Sequence, residues 1–363
     1  MTILLFVLGL AGLIFGAELF LKAVDQFGLK WGVSPMIMGL TVVAFATGAP
    51  ELAISLKAAM NDSADLVLGN IIGSNIANIL LILGITGLIT PLHIKQRIVR
   101  IDVPIVIAMS IGLYVLALDG VLSPMDGGVL LMGLLAYSIF TFLQIRKNMV
   151  DISELYVHEK EVELASGVWF YTKNVGILLA GLVLIVQGAN WMVGSAVTIA
   201  QLLGMSELVV GLTIVSIGTS LPEVATSISA ARKGNADIAV ANVLGSNIYN
   251  VLLTLGLTIL LAPGVLEVSR KALILDMPFM IAVAVGCIPI FLAGFDLNRK
   301  DAFLFLFYYA AYLIYLVLEA IGSEYLGWIE KGFLFVVLPL TLYYIFSKLI
   351  REGLTGLRSA SRS

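Results

Sequence analysis

The chain has 363 residues, of which 60% are hydrophobic and only 12% charged, and its formal net charge is −3 at pH 7. That balance excludes an ordinary soluble domain and predicts a polytopic membrane protein. No basic stripe suits a nucleic acid, and a lone cysteine, Cys287, set in an apolar run, excludes a disulfide framework.

About 20 apolar residues cross a bilayer as a helix. Eleven such spans are predicted, near 2–22, 36–60, 66–90, 101–118, 125–145, 173–200, 206–231, 236–262, 272–294, 302–319 and 332–350. The first is apolar enough to be mistaken for a signal peptide, but it lacks a basic n-region. Its Gly16-Ala17-Glu18 also recurs 172 positions later as Gly188-Ala189-Asn190, so it reads as mature protein. Lys22 stands four residues after Glu18, which predicts an ion pair at the membrane interface.

Spans two and three carry a fifty-residue pattern that spans seven and eight carry again. The first copy runs Gly39 to Leu88, with ATGAPE at 46–51 and GNIIGSNIANILLILG at 69–84. The second runs Gly211 to Leu260, with GTSLPE at 218–223 and ANVLGSNIYNVLLTLG at 241–256. The two superpose without a gap at an offset of 172, and 25 of 50 positions are identical. Both put a glutamate directly after a proline at membrane depth. An ionisable group there costs roughly 2.5–3.5 kcal/mol on insertion scales, which marks it as functional.

The first half continues through spans four and five. The 146–172 segment, rich in Asp and Glu, reads as a solvated connector rather than a calcium-sensing element. The second half repeats the five spans, and Asp102-Val-Pro104 finds an echo in Asp276-Met-Pro278. Asp65, Asp126, Asp237 and Asp301 precede apolar runs and read as helix N-caps. With the N-terminus outside, inward segments hold 17 Lys and Arg and outward segments hold 4 (Lys57, Arg270, Lys271, Lys331). The expected topology is a multi-pass cell-membrane protein with its N-terminus outside and its C-terminus cytoplasmic.

An odd number of spans per repeat turns the second copy upside down. The expected fold is an all-α polytopic membrane protein with two inverted five-helix repeats plus one extra C-terminal transmembrane helix. The units are a first repeat over 1–145, a cytoplasmic connecting loop over 146–172, a second repeat over 173–319, and the extra helix with its tail over 320–363. Inverted repeats are an architecture of secondary transporters, with the site near the midplane.

The chemistry of the motif points the same way. Proline removes a backbone donor, so Pro50 leaves the Ala46 carbonyl free and Pro222 that of Gly218. Thr47 and Gly48 in one copy, and Thr219 and Ser220 in the other, surround Glu51 and Glu223 with small or hydroxylated residues. On the following span, Asn70, Ser74 and Asn78 share a helix face, as do Asn242, Ser246 and Asn250. Asn75 and Asn247 sit off that line and either join the site or bond between helices. Gly69 and Gly73 form a GxxxG pair that permits close backbone approach. Carboxylate, amide and hydroxyl oxygens are hard ligands, suited to Ca²⁺ or Na⁺ and not to zinc or copper. His93 and His158 fall in loops, away from this cage.

On GTSLPE at 218–223 and GSNI at 73–76 and 245–248, the chain resembles the cation/calcium exchanger superfamily, specifically its prokaryotic sodium/calcium exchanger branch. The resemblance implies ten core helices, ion sites on spans two, three, seven and eight, and sliding of spans one and six. Carried over by position, it implies Glu51, Glu223, Asn78 and Asn250 as ion ligands. It also places Thr47, Thr219 and Ser220 on ligand positions of the proline-broken helices, and Ser74 and Ser246 on those of the facing helices. Gly48 departs from the serine usual there. Asn250 stands where some relatives, potassium-dependent ones included, have aspartate, which argues against K⁺ co-transport. The eleventh span has no counterpart in the ten-helix core.

The function expected is secondary active antiport of Ca²⁺ against Na⁺ by alternating access, with both ions as cargo and no resident cofactor. The alternative is H⁺/Ca²⁺ exchange, with protons neutralising the same glutamates. A channel needs no exchange, the GxGD pattern of intramembrane proteases is absent, and a non-enzymatic scaffold leaves the buried charges without a purpose.

Overall fold

Long apolar runs in lipid must satisfy their backbone internally, and helices do so within one segment. The computed structural model describes residues 1–156, 167–202 and 216–360. Its helices are α1 (Thr2–Trp31), α2 (Pro35–Thr47), α3 (Ala49–Met60), α4 (Ala64–Ile89), α5 (Ile98–Leu116) and α6 (Pro124–Tyr156). The second half supplies α7 (Val168–Leu202), α8 (Ser216–Thr219), α9 (Leu221–Arg232), α10 (Ala236–Leu261), α11 (Ala272–Leu292) and α12 (Arg299–Ala320). A final helix, α13, runs over 326–360. Among the described residues eight helices are long and apolar enough to span a membrane, nine if the bent pair α2–α3 counts as one. The predicted 206–231 span begins outside the described residues, and the apolar part of α13, Phe335–Ile350, is shorter.

Several helices outrun their predicted spans. The first continues to Trp31 and closes on Gly32, whose left-handed φ of 62° lets its N–H reach Gly28 and Leu29 carbonyls. Residues 146–156 and 168–172 are helical, so the connector is shorter than predicted. Hydropathy reports where lipid ends, whereas a helix continues into water wherever its residues favour it. The predicted N-caps also shift. Asp126 and Asp301 occupy the third helical position, and the caps are Ser123 and Asn298. Asp301 closes a reciprocal capping box with Asn298, and the Asp126 carboxylate accepts from the Ser123 N–H at 2.8 Å. Asp65 and Asp237 lie in first turns after Ser63 and Asn235, and Asp237 is ion-paired to Lys95 at 2.6 Å.

The inversion is visible in two small strand pairs. β1 (Leu92–His93) follows α4, β2 (Val121–Leu122) follows α5, β3 (Leu266–Glu267) follows α10, and β4 (Asp296–Leu297) follows α11. By their order within each repeat, β1 corresponds to β3 and β2 to β4. The pairing crosses this correspondence: β1 is antiparallel to β4, and β2 to β3. Because α5 separates β1 from β2, the mates β1 and β3 lie at opposite ends of the bundle. The second repeat is therefore upside down relative to the first.

The centre is built from α4 and α10, whose apolar windows are 72% and 78% buried, against 28% for α1 and 22% for α7. α2 crosses α10 closely: a Cβ at Gly39 would sit 2.9 Å from Ala241 Cβ, and one at Gly245 would sit 2.7 Å from Ala44 Cβ. By the repeat offset the partners of Gly69 and Gly73 would be Gly211 and Leu212, so their predicted GxxxG contact lies outside the described residues. At the periphery α1 and α7 run antiparallel with backbones touching. A Cβ at Gly9 would meet the Gly188 carbonyl at 2.7 Å, and one at Gly16 the Gly181 carbonyl at 2.9 Å. The two contacts exchange under the repeat offset of 172.

α13 docks on the second half through buried charge. Lys348 Nζ lies 2.6 Å from Asp301 Oδ2 and 3.5 Å from Asp296 Oδ1, and it donates to the Ile290 carbonyl at 3.3 Å. Tyr344 donates its hydroxyl to Asp301 Oδ1 at 2.8 Å. Cys287 is buried and donates only to the Val283 carbonyl at 3.6 Å, a packing role.

Candidate functional site

Each repeat breaks a span at its motif. In the first, α2 stops at Thr47, the chain turns at Gly48, and α3 resumes at Ala49 with a 41° bend. In the second, α8 ends at Thr219, Ser220 is the turn, and α9 begins at Leu221. Pro50 and Pro222 thus occupy the opening positions of α3 and α9, where a missing N–H costs nothing. Glu51 and Glu223 follow them in the first turn, where the positive end of the helix dipole favours a carboxylate.

The two carboxylates come together. Both residues are 1% exposed and interact electrostatically with each other, and Thr47 of the first repeat reaches the Glu223 carboxyl of the second. Of the nine candidate residues, Glu51, Glu223, Asn78, Asn250, Thr47, Ser220, Ser74 and Ser246 are buried, and Thr219 is half-buried. Seven present a buried oxygen with no hydrogen-bond partner: Glu51 Oε2, Glu223 Oε2, Asn78 Oδ1, Asn250 Oδ1, and the hydroxyls of Ser74, Ser220 and Ser246. Buried polar atoms are normally paired, so seven unpartnered oxygens on these residues, among the described ones, mark an unusual concentration of polar groups. Gly48 faces the same space, with a Cβ there 3.9 Å from Asn250 Oδ1.

Asn70 and Asn242 tie the two helices of each repeat together through their NH₂ groups. Asn70 Nδ2 donates to Ser55 Oγ at 3.0 Å and to the Glu51 carbonyl at 3.3 Å, tying α4 to α3. Asn242 Nδ2 donates to Thr226 and Ser227 hydroxyls at 3.1 and 3.0 Å, tying α10 to α9. These tethers hold the glutamate-bearing helices at a set depth. Asn75 and Asn247 bond between helices, as one of the two sequence readings had it. The Glu18–Lys22 ion pair is not among the described ones; instead the Glu18 carbonyl accepts from Lys233 Nζ at 3.4 Å.

Sequence reading also missed the widened turns. α4 and α10 each pass through a π-helical segment that begins at the candidate amide, Asn78–Ile82 and Asn250–Leu255. Such turns collect at functional sites because they break helical register and re-aim side chains. No residue pattern announces them beyond the repeat itself. Among the described residues no cluster of three or more His, Cys, Asp and Glu occurs. The charge therefore comes from two carboxylates, within a shell of neutral oxygens suited to a hard cation.

The family model for the sodium/calcium exchanger protein matches residues 1–145 and 173–318, both halves of this site included. The chain belongs to that family. Among similar family members, the sodium/calcium exchanger MaX1 of Methanosarcina acetivorans is 31% identical over 347 residues, covering 86% of this chain and 97% of the relative. The inner membrane protein YrbG of Escherichia coli is 34% identical over 283 residues, covering 77% and 86%. A structure of the sodium–calcium exchanger NCX_Mj, soaked with zero Na⁺ and Ca²⁺, superposes with a TM-score of 0.71 at 27% identity, covering 85% of this chain and 96% of that one. α13 lies beyond the matched residues.

Proposed function

We propose that this protein is a secondary active antiporter that exchanges Ca²⁺ for Na⁺ across the cell membrane at one midplane site. The ligands are Glu51 and Glu223, the amide oxygens of Asn78 and Asn250, and hydroxyls from Thr47, Thr219, Ser220, Ser74 and Ser246. The observation that carries this reading is the pair of fully buried carboxylates ringed by unpartnered oxygens. Family membership and the names of the relatives support it.

The mechanism follows from charge. Two bare carboxylates in lipid are costly, and one Ca²⁺ or the equivalent in Na⁺ offsets them. The two ions compete for one oxygen set, so the site holds one or the other. If the helices switch access only when that charge is neutralised, an empty carrier does not return and transport is obligatory exchange. A ligand shifts such an equilibrium only through its different affinity for the two states. The moving part is the α1–α7 pair, joined backbone to backbone and far less buried than α4 and α10. A crevice of about 490 Å³ between α1 and α9, lined by Leu221, Val224 and Arg232, is its working gap.

The repeat units are 1–145 and 173–319, joined by the cytoplasmic 146–172 segment and followed by the accessory 320–363. The N-terminus faces outward and the C-terminus the cytoplasm. Purified protein in Na⁺-loaded liposomes, diluted into Na⁺-free buffer, is expected to take up Ca²⁺. Glu51→Gln and Glu223→Gln should each reduce that uptake to the protein-free level. Uptake that follows a pH gradient and ignores Na⁺ would instead establish proton coupling, and full activity in either variant would remove that glutamate from the site.

A further inference from the structure

Asn78 and Asn250 are amides, and an amide has two ends of opposite sign: the oxygen attracts a cation and the NH₂ repels it. Something must hold the oxygen inward. Asn78 Nδ2 donates to Asn247 Oδ1 at 2.9 Å, and Asn250 Nδ2 donates to Asn75 Oδ1 at 3.2 Å. With its NH₂ so engaged, each amide is left with a buried Oδ1 that has no partner. The acceptors are oriented in their turn. Asn75 Nδ2 donates to the Asn247 backbone carbonyl at 3.5 Å, and Asn247 Nδ2 to the Asn75 carbonyl at 3.2 Å. A backbone carbonyl inside a helix cannot flip, so the relay is anchored at both ends.

We infer that Asn75 and Asn247 are positioning residues that set, each from the opposite repeat, which face of the Asn250 and Asn78 amides meets the cation. This deepens the exchange reading and rests on it. All four bonds exchange under the offset of 172, so neither repeat can orient its own ligand. The loop closes between α4 and α10, the two most buried helices, and so belongs to the part of the molecule that stays still. The Asn75 NH₂ also lies 3.7 Å from Met280 Sδ, and Asn250 is the candidate ligand that Asn75 hydrogen-bonds among the described residues.

The test is a double-mutant cycle read by equilibrium ⁴⁵Ca²⁺ binding to the purified full-length protein. Asn75→Ala should weaken Ca²⁺ binding roughly tenfold, the scale of a hydrogen bond involving a charged group. Aspartate presents an oxygen whichever way it turns. In an Asn250→Asp background, therefore, Asn75→Ala should change affinity by less than about twofold relative to that parent. The mirror cycle, Asn247→Ala with Asn78→Asp, serves if the first variant does not fold, as judged by monodispersity and thermal unfolding. An equal loss in both backgrounds would show that Asn75 only stabilises the fold, and would overturn the inference alone. No Ca²⁺ binding by the unaltered protein would overturn the exchange reading as well.

Discussion

The role proposed for Glu51 and Glu223 rests on three local features that coincide: a proline that starts a helix, a first-turn position and near-complete burial. The small residue two positions before each proline sets how many oxygens are added. Ser220 supplies a hydroxyl with no partner, whereas Gly48 supplies none. A side chain at 48 has room toward Asn250 Oδ1, with only the Ala44 carbonyl close at 3.2 Å, and φ there is an ordinary −77°. Gly48→Ser should therefore restore two-fold symmetry to the ligand set and tighten Ca²⁺ binding by roughly two- to tenfold, the scale of one added polar contact. Calcium titration of the purified variant checks this, and weaker binding would place residue 48 outside the ligand shell. The sequence made Glu51, Glu223 and the small hydroxylated residues around them legible, because charge in lipid is rare. It did not reveal which asparagines donate within their own repeat and which reach across to the other. That depends on whether a side chain at one position meets a neighbour from the other repeat.

The helices divide into a buried pair, α4 and α10, a peripheral pair, α1 and α7, and flanking supports. The Gly16–Gly188 echo made α1 and α7 repeat mates without announcing their close crossing, whereas the existence and order of the helices were readable from hydropathy. The π-helical turns at Asn78 and Asn250 were not, since a single extra residue per turn leaves apolar periodicity almost unchanged. α13 has a definite task at this level: Lys348 neutralises Asp301, which is wholly buried at the start of α12. Removing one partner of a buried pair costs about 3–5 kcal/mol. Lys348→Met should lower the thermal unfolding temperature in detergent by several degrees, and adding Asp301→Asn should recover part of it. An unchanged melting temperature would mean that α13 is held by lipid-facing packing alone.

The two halves together form a molecule whose repeat mates face opposite sides of the membrane, a conclusion that rests on β1 pairing with β4 and β2 with β3. His93 and Glu267 occupy the same place in the corresponding strands β1 and β3, both exposed, and the native Cys287 is buried and silent. In right-side-out vesicles, a membrane-impermeant maleimide should label Glu267→Cys from outside and His93→Cys only after permeabilisation. Labelling of both from one side would contradict the inversion. This antisymmetry gives a single central site two equivalent ways out, as alternation requires, and it was legible from the ungapped 172-residue offset and the odd number of spans.

The account's central claim is that the buried carboxylates never cross empty. The most direct measurement is ⁴⁵Ca²⁺ efflux from preloaded proteoliposomes, with the membrane potential clamped, into choline, into Na⁺ or into unlabelled Ca²⁺. Efflux is expected into Na⁺ and into Ca²⁺ and, into choline, only at the rate of protein-free vesicles. Rapid efflux into choline at constant pH would show that the site returns without a cation, and the claim would be wrong.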